Sequence, residues 1–169
     1  LGEFAYRNKA HLAFAEENRK LILGFFDDVT RTVIPAPKCL LHGEWFSVAS
    51  KIILGWAREH SFHAYNPRTG KGLLRFALLR HLEGCLMLTL VVNGGRLSGT
   101  DGLYEKLCEK FDKVSLYTCE NKTAGSGVLT GKIRLVAGEE RLNGEMLGIK
   151  FGLSPDSFFQ VNERMAERI

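Results

Sequence analysis

The residues whose type and spacing could do chemistry begin close to the start of the chain. From Tyr6 to Phe14 the sequence alternates, with Tyr6, Asn8, Ala10, Leu12 and Phe14 on one side and Arg7, Lys9, His11 and Ala13 on the other. A period of two marks a strand, so Arg7, Lys9 and His11 form a basic stripe on one face. Cations so placed can line phosphates while Tyr6 stacks on a base. The same stripe also suits the solvated face of an edge strand, where charge discourages pairing with other chains. Arg75 and Arg80 lie on a later strand-like run, five apart. A regular strand sends them to opposite faces, and only a bulge would let them act as one clamp. A third stretch, Leu153-Ser154-Pro155-Asp156-Ser157-Phe158-Phe159-Gln160-Val161-Asn162, is an odd design for a plain connection. A Pro-initiated turn, an aromatic plug and an Asn cap account for Pro155, Phe158 and Asn162 but leave Gln160 without a role.

Other chemistries find no support. The Gly-rich stretch Gly127–Ile133 fails as a phosphate loop, because Ser126 stands where its first glycine belongs and Ile133 replaces the hydroxyl residue that would ligate magnesium. His11, His42, His60, His63 and His81 share no metal-ligand spacing with one another or with the cysteines. Neither G-x-S-x-G nor a Cys/His/Asn signature is present, which removes the basis for a hydrolase. Cys39, Cys85, Cys108 and Cys119 are widely spaced and form no C-x-x-C pair. Cys85 in an apolar run and Cys108 in a helix-like stretch read as reduced, buried thiols, and this usage points to a reducing, cytoplasmic compartment.

The chain has 169 residues, 45% hydrophobic and 25% charged, the composition of an ordinary globular domain. A domain of this size buries roughly 70% of its unfolded surface, which excludes disorder and a disulfide-dependent scaffold. The longest apolar run, Leu86–Val92, is strand-sized and well short of the roughly 18–20 residues of a membrane span. A net charge of +4 is mild, so where the cations sit matters more than their number. The chain opens on Leu1-Gly2-Glu3-Phe4, with no leader pattern, and stops at Arg168-Ile169 within a helical pattern that begins near Asn162. Both ends read as cut, and a piece of a longer protein is expected.

The elements that must position these residues follow from periodicity. Strands are expected at Tyr6–Phe14, Leu21–Phe26, Thr30–Ile34, Leu73–Arg80, Cys85–Val92, Val114–Thr118, Ile133–Val136 and Ile149–Leu153, with a turn at Leu142-Asn143-Gly144. Trp45, Val48, Ala49, Ile52 and Trp56 predict a helix over Glu44–His60, with Ser47, Ser50, Lys51 and Arg58 elsewhere on the wheel. Leu103, Leu107 and Phe111 predict a second, capped by Thr100 or Asp101. Asn121–Gly127 reads as a mobile loop. The pattern is that of an α+β domain, a largely antiparallel sheet with two helices on one face.

Ser154-Pro155-Asp156-Ser157-Phe158-Phe159-Gln160-Val161-Asn162 resembles the segment that leads into the catalytic domain of bacterial S-adenosylmethionine-dependent RNA (uracil-5-)-methyltransferases. Tyr6-Arg7-Asn8-Lys9, Leu23-Gly24-Phe25, Lys38-Cys39-Leu40-Leu41 and Gly72-Leu73-Leu74-Arg75 with Arg80 are similar to landmarks of that family's central domain, in the same order. The resemblance implies residues 1–152 as a central RNA-facing α+β domain. Residues 153–169 would then be the start of the linker and helix into a Rossmann-like methyltransferase domain absent from this chain. It also implies a small N-terminal RNA-binding barrel upstream, and Gln160 as a contact for the methyl donor. The family's nucleophilic cysteine and glutamate base would lie beyond Ile169, so none of the four cysteines here is the nucleophile. Many members hold an iron–sulfur cluster, for which Cys39 would be the fourth ligand only if three cysteines lie upstream.

The reaction so implied explains the need for an RNA-facing domain. C5 of uracil becomes nucleophilic only after a thiolate adds at C6. The target must therefore leave its stack, at a cost of a few kcal/mol that contacts to neighbouring nucleotides offset. Arg7, Lys9, Arg75 and Arg80 on phosphates and Tyr6 on a base are the expected contacts. The partner would be structured RNA, 23S rRNA ahead of tRNA. The rival expectation is a scaffold or RNA-binding module without catalysis of its own, in which the domain orients its neighbours and the basic stripe is merely solvated.

Overall fold

Three hairpins are closed by loops of two residues, Asn18-Arg19, Glu83-Gly84 and Leu147-Gly148, with both residues of each at positive φ. This is the turn whose twist matches that of paired strands, and Asn18, Gly84 and Gly148 are the residue types that tolerate it. The computed structural model describes residues 3–123 and 127–168. Its strands are β1 (Lys9–Glu17), β2 (Lys20–Asp27), β3 (Thr32–Pro35), β4 (Leu74–Leu82), β5 (Cys85–Val92), β6 (Val114–Glu120), β7 (Ile133–Gly138), β8 (Leu142–Met146) and β9 (Ile149–Leu153). Its helices are α1 (Glu44–Glu59), α2 (Thr100–Cys108) and the short α3 (Glu163–Ala166).

Seven strands form one sheet in the order β3-β2-β1-β4-β5-β6-β7, and β8 and β9 form a separate hairpin. Every neighbouring pair is antiparallel except β5 and β6. Those two are joined by the α2 crossover, which returns the chain to the same end of the sheet and makes them parallel. The expected α+β class and largely antiparallel sheet are therefore found, with one parallel pair. The β2–β3 pairing depends on a missing side chain: a Cβ on Gly24 would stand 1.9 Å from the Ile34 carbonyl oxygen.

α1 and α2 cover one face of the sheet. Beneath them Leu12, Phe14, Ala77, Leu79, Leu88, Leu90 and Leu116 join Phe46, Ile53 and Trp56 of α1 and Leu103 and Leu107 of α2 in the main core. At roughly 25 cal/mol per Å2 of apolar surface buried, this layer is the principal source of stability. The α1 stripe is turned by about one residue from the expected one: Phe46, Ala49, Ser50, Ile53, Trp56 and Ala57 are buried, while Trp45, Val48 and Ile52 pack at its margin.

Three expectations about local structure are corrected. Leu142-Asn143-Gly144 belongs to β8, and the reversal comes at Leu147-Gly148. α2 is preceded by Gly99 in the left-handed region, and neither Thr100 nor Asp101 caps it through a side chain. Cys108 is exposed and Cys85 half-buried; only Cys119 is a buried thiol. Parts of the expectations for the chain ends, for Asn121–Gly127 and for the phosphate-loop comparison (Leu1, Gly2, Ser126, Ile169) lie outside the described residues. Among the described residues no helix is long and apolar enough to cross a membrane.

Candidate nucleic-acid interface

The opposite face of the sheet collects the cations. In the β1–β4 register Lys9 stands across from Arg80 and His11 across from Leu78, so Lys9, His11 and Arg80 share this side. Arg7 lies just before β1, its N–H donating to the Leu41 carbonyl at 2.8 Å. Lys9, His11 and Arg80 line a recess of about 190 Å3 together with Met87, Thr89, Val128, Leu129, Pro155 and Asp156. Arg80 is only 4% exposed. Its Nη2 donates to the Ser157 carbonyl at 2.7 Å, while the buried Nη1 has no hydrogen-bond partner among the described residues.

Little negative charge answers this group. Among the described residues the ion pairs are His63–Glu16, Lys106–Glu59 and Lys122–Glu120, none of which involves Arg7, Lys9 or Arg80. Burial and then the Arg80 guanidinium hold the Lys9 ammonium below its ordinary value. His11 is pushed down to about 4, first by desolvation and then by Lys9, Arg80 and Arg7, so its ring is neutral at neutral pH. Burial likewise lowers Arg80, with Asp156 partly opposing it. Asp156 is held low chiefly by the Ser154 hydroxyl, which donates to its carboxylate at 2.6 Å. The result is an electrostatic field that favours an anion.

Arg75 does different work. A bulge between Leu74 and Phe76 does intervene in β4, and Arg75 is the residue it frees. Its Nη1 donates to the carbonyl of Asn121 at 2.7 Å, to Asn121 Oδ1 at 3.1 Å and to the carbonyl of Thr123 at 2.8 Å. Its guanidinium lies 4.4 Å over the Tyr65 ring. Asn121 Nδ2 in turn donates to the carbonyls of Gly127 and Val128. Arg75 and Asn121 therefore fix Val128, which with Leu129 forms one wall of the recess. Arg75 and Arg80 are not brought together: their guanidinium partners lie at residues 121–123 and at Ser157.

The C-terminal stretch folds back onto the start of β1. Asn8 is 6% exposed, and its Nδ2 donates to the Gln160 carbonyl at 3.0 Å and to Glu163 Oε1 at 2.8 Å. Its backbone N–H donates to the Val161 carbonyl and its carbonyl accepts from His81. This pins the backbone of Gln160 while its side chain stays exposed. Asn162 caps α3 as expected, accepting from the Met165 N–H at 3.2 Å. The aromatic plug is Phe159, whose ring lies 5.0 Å from that of Phe151; Phe158 is 83% exposed.

Of the expected site residues, Arg7, Lys9 and Arg80 thus gather at one place, with Tyr6 half-buried beside Arg7 in sequence. Arg75 stands apart, and Gln160 lies on the segment above the Asn8 anchor. Asn8 and Asn121 were not anticipated. Asn8 had a visible signal, as a polar residue on the otherwise apolar side of β1; Asn121 had none. His42 was also unassigned, and its Nε2 lies 2.9 Å from the Lys9 carbonyl while its ring stacks on Phe46. Cys39 is half-buried against the core. No group of three or more His, Cys, Asp or Glu gathers as a metal site among the described residues, so the side chains present do not by themselves fit an iron–sulfur cluster.

No protein-family model matches the chain. An uncharacterized RNA methyltransferase of Bacillus cereus is 28% identical over 94% of the chain and 35% of its own length. One of Streptococcus agalactiae is 29% identical over 98% of the chain and 37% of its length. The chain therefore spans a little over a third of these relatives. Among solved structures, Pyrococcus abyssi tRNA (uracil-54, C5)-methyltransferase in complex with S-adenosyl-L-homocysteine superposes with a TM-score of 0.82 at 24% identity, covering 99% of this chain and 39% of that one. The resemblance to RNA methyltransferases read from the motifs thus holds, and the chain has the fold of the matching part of a tRNA (uracil-C5) methyltransferase.

Proposed function

We propose that this chain is the RNA-facing part of an S-adenosylmethionine-dependent RNA uridine-C5 methyltransferase. The observation that carries the reading is the gathering of Lys9 and Arg80 on one face of the sheet, with Arg7 close by and no ion-pair partner among the described residues, in a chain similar to RNA methyltransferases. Residues 1–152 would form the RNA-facing domain and 153–169 the lead into a Rossmann-like catalytic domain. Lys9 and Arg7 take phosphates, Tyr6 takes a base, and Arg80 takes a phosphate from below. Arg75 supports this face through Asn121. Structured RNA is the substrate class, with 23S rRNA first and tRNA second, in the cytoplasm. The nucleophilic cysteine and the base would belong to the catalytic part, and the chain alone would not methylate.

The exposed Gln160 carboxamide, held at its backbone by Asn8, suits a polar contact at the edge of the donor site. The donor, when bound, supplies the methyl group; this chain supplies the orientation of that edge and of the RNA. No step is drawn through an iron–sulfur cluster. The buried Arg75 network favours a second, scaffold reading, in which the domain only orients its neighbours.

Gel-shift titration of the chain with structured rRNA fragments and tRNA, at rising salt, separates the two. Contact with a few phosphates predicts a log–log salt slope of about −0.7 to −0.9 per phosphate neutralised. Arg7→Gln with Lys9→Gln should then weaken binding and flatten the slope. Absence of affinity at low salt, or indifference to both substitutions, would leave the scaffold reading.

A further inference from the structure

Arg80 is 4% exposed and lines the recess, with its Nη2 bonded to the Ser157 carbonyl and its buried Nη1 without a hydrogen-bond partner among the described residues. A buried donor left without a partner is costly, more so when charged, and one beside a recess is placed to be satisfied by what enters it. The recess beside it supplies a second cation, Lys9, with the His11 imidazole and the Thr89 hydroxyl available as further donors. Its remaining wall is apolar, from Met87 and Leu129, which lowers the local dielectric and strengthens any charge pairing inside. Asp156 is the one carboxylate on the lining, and it is already engaged by Ser154.

We infer that this recess is a seat for one phosphate group, supplied either by the RNA backbone or as free phosphate. The Nη1–H of Arg80 can make one charge-assisted hydrogen bond to an oxyanion, and the neighbouring Lys9 ammonium adds charge. The assignment rests on the RNA reading only for the identity of the natural phosphate. The seat itself is a property of Arg80, Lys9 and His11. Phosphate there would offset part of the positive field that His11 feels from Lys9, Arg80 and Arg7, with Asp156 across the recess. The ring would take up a proton, and binding would tighten as pH falls.

The test is the His11 ring titration by NMR on the 169-residue chain, at constant ionic strength, with chloride, with inorganic phosphate and with a short single-stranded RNA. Saturable phosphate should raise the His11 midpoint from about 4 by about one to three pH units. Arg80→Gln should abolish the rise, and Lys9→Gln, at a half-buried site that tolerates change, should reduce it in a chain that still folds. An unchanged midpoint in phosphate overturns the seat, even if RNA still binds through Arg7 and Lys9. A phosphate response without RNA affinity supports the seat and removes the RNA reading instead.

Discussion

The same strands, β1, β4 and β5, present two faces that have been built for opposite ends. Toward the helices, Leu12, Phe14, Ala77, Leu79, Leu88 and Leu90 are buried in one continuous core. Away from them the alternate positions carry Lys9, His11, Arg80 and Thr89 beside the apolar Leu78, Met87 and Val91, with the Val128–Leu129 segment, the stretch around Pro155 and the β8–β9 hairpin packed over them. The period of two that makes a strand thus places the main core on one side of β1 and the cations Lys9 and His11 on the other. The second face also carries a cost that the first does not, a set of like charges held together by the register. That is the signature of a surface arranged for a partner of opposite charge.

Substitutions can break this division if it is wrong. On the helix-covered face Trp56→Ala removes a ring that is 1% exposed and an Nε1 bond to the Gly99 carbonyl, and should cost about 3–5 kcal/mol in denaturant unfolding. A loss below about 1 kcal/mol would mean that this layer is not the core. At the start of β1, on the same side as Leu12 and Phe14, Asn8→Ala leaves the Gln160 carbonyl and Glu163 without their donor, for about 1–3 kcal/mol. Amide exchange should then quicken in residues 160–163, and unchanged exchange would remove the anchor role. Lys9→Gln relieves repulsion with Arg80 and should change stability by no more than about 0.5 kcal/mol while weakening RNA binding.

The smallest effect is one of pH. His11 titrates lower in the folded chain, at about 4, than its ordinary value of 6.5. The unfolded chain therefore binds the proton first, and stability present above pH 6.5 is lost as pH falls toward 4. Burial acts in the same direction on His42 and His81. His11→Gln should flatten the decline in a pH series of unfolding free energies, and an unaltered slope would show that neither burial nor the neighbouring cations depress the titration of this ring.

Much of this was legible in the chain itself. Alternation placed β1 and its basic stripe, apolar runs placed β4 and β5, and Asn162 announced a helix cap. What escaped depended on contacts distant in sequence. The partners of Asn8 are about 150 residues away, at Gln160 and Glu163. The role of Arg75 depended on a bulge and on an asparagine at the far end of β6. No local pattern encodes either. The β8 strand was missed because Asn143-Gly144 resembles a turn, whereas the reversal uses Leu147, a residue that seldom adopts positive φ.

The most direct test is a chemical-shift map of the chain on titration with a structured rRNA fragment. The account predicts shifts confined to Tyr6–His11, Arg80, Thr89 and Val128–Leu129, fading as salt rises. Shifts clustered on α1 and α2, or none at low salt, would contradict it.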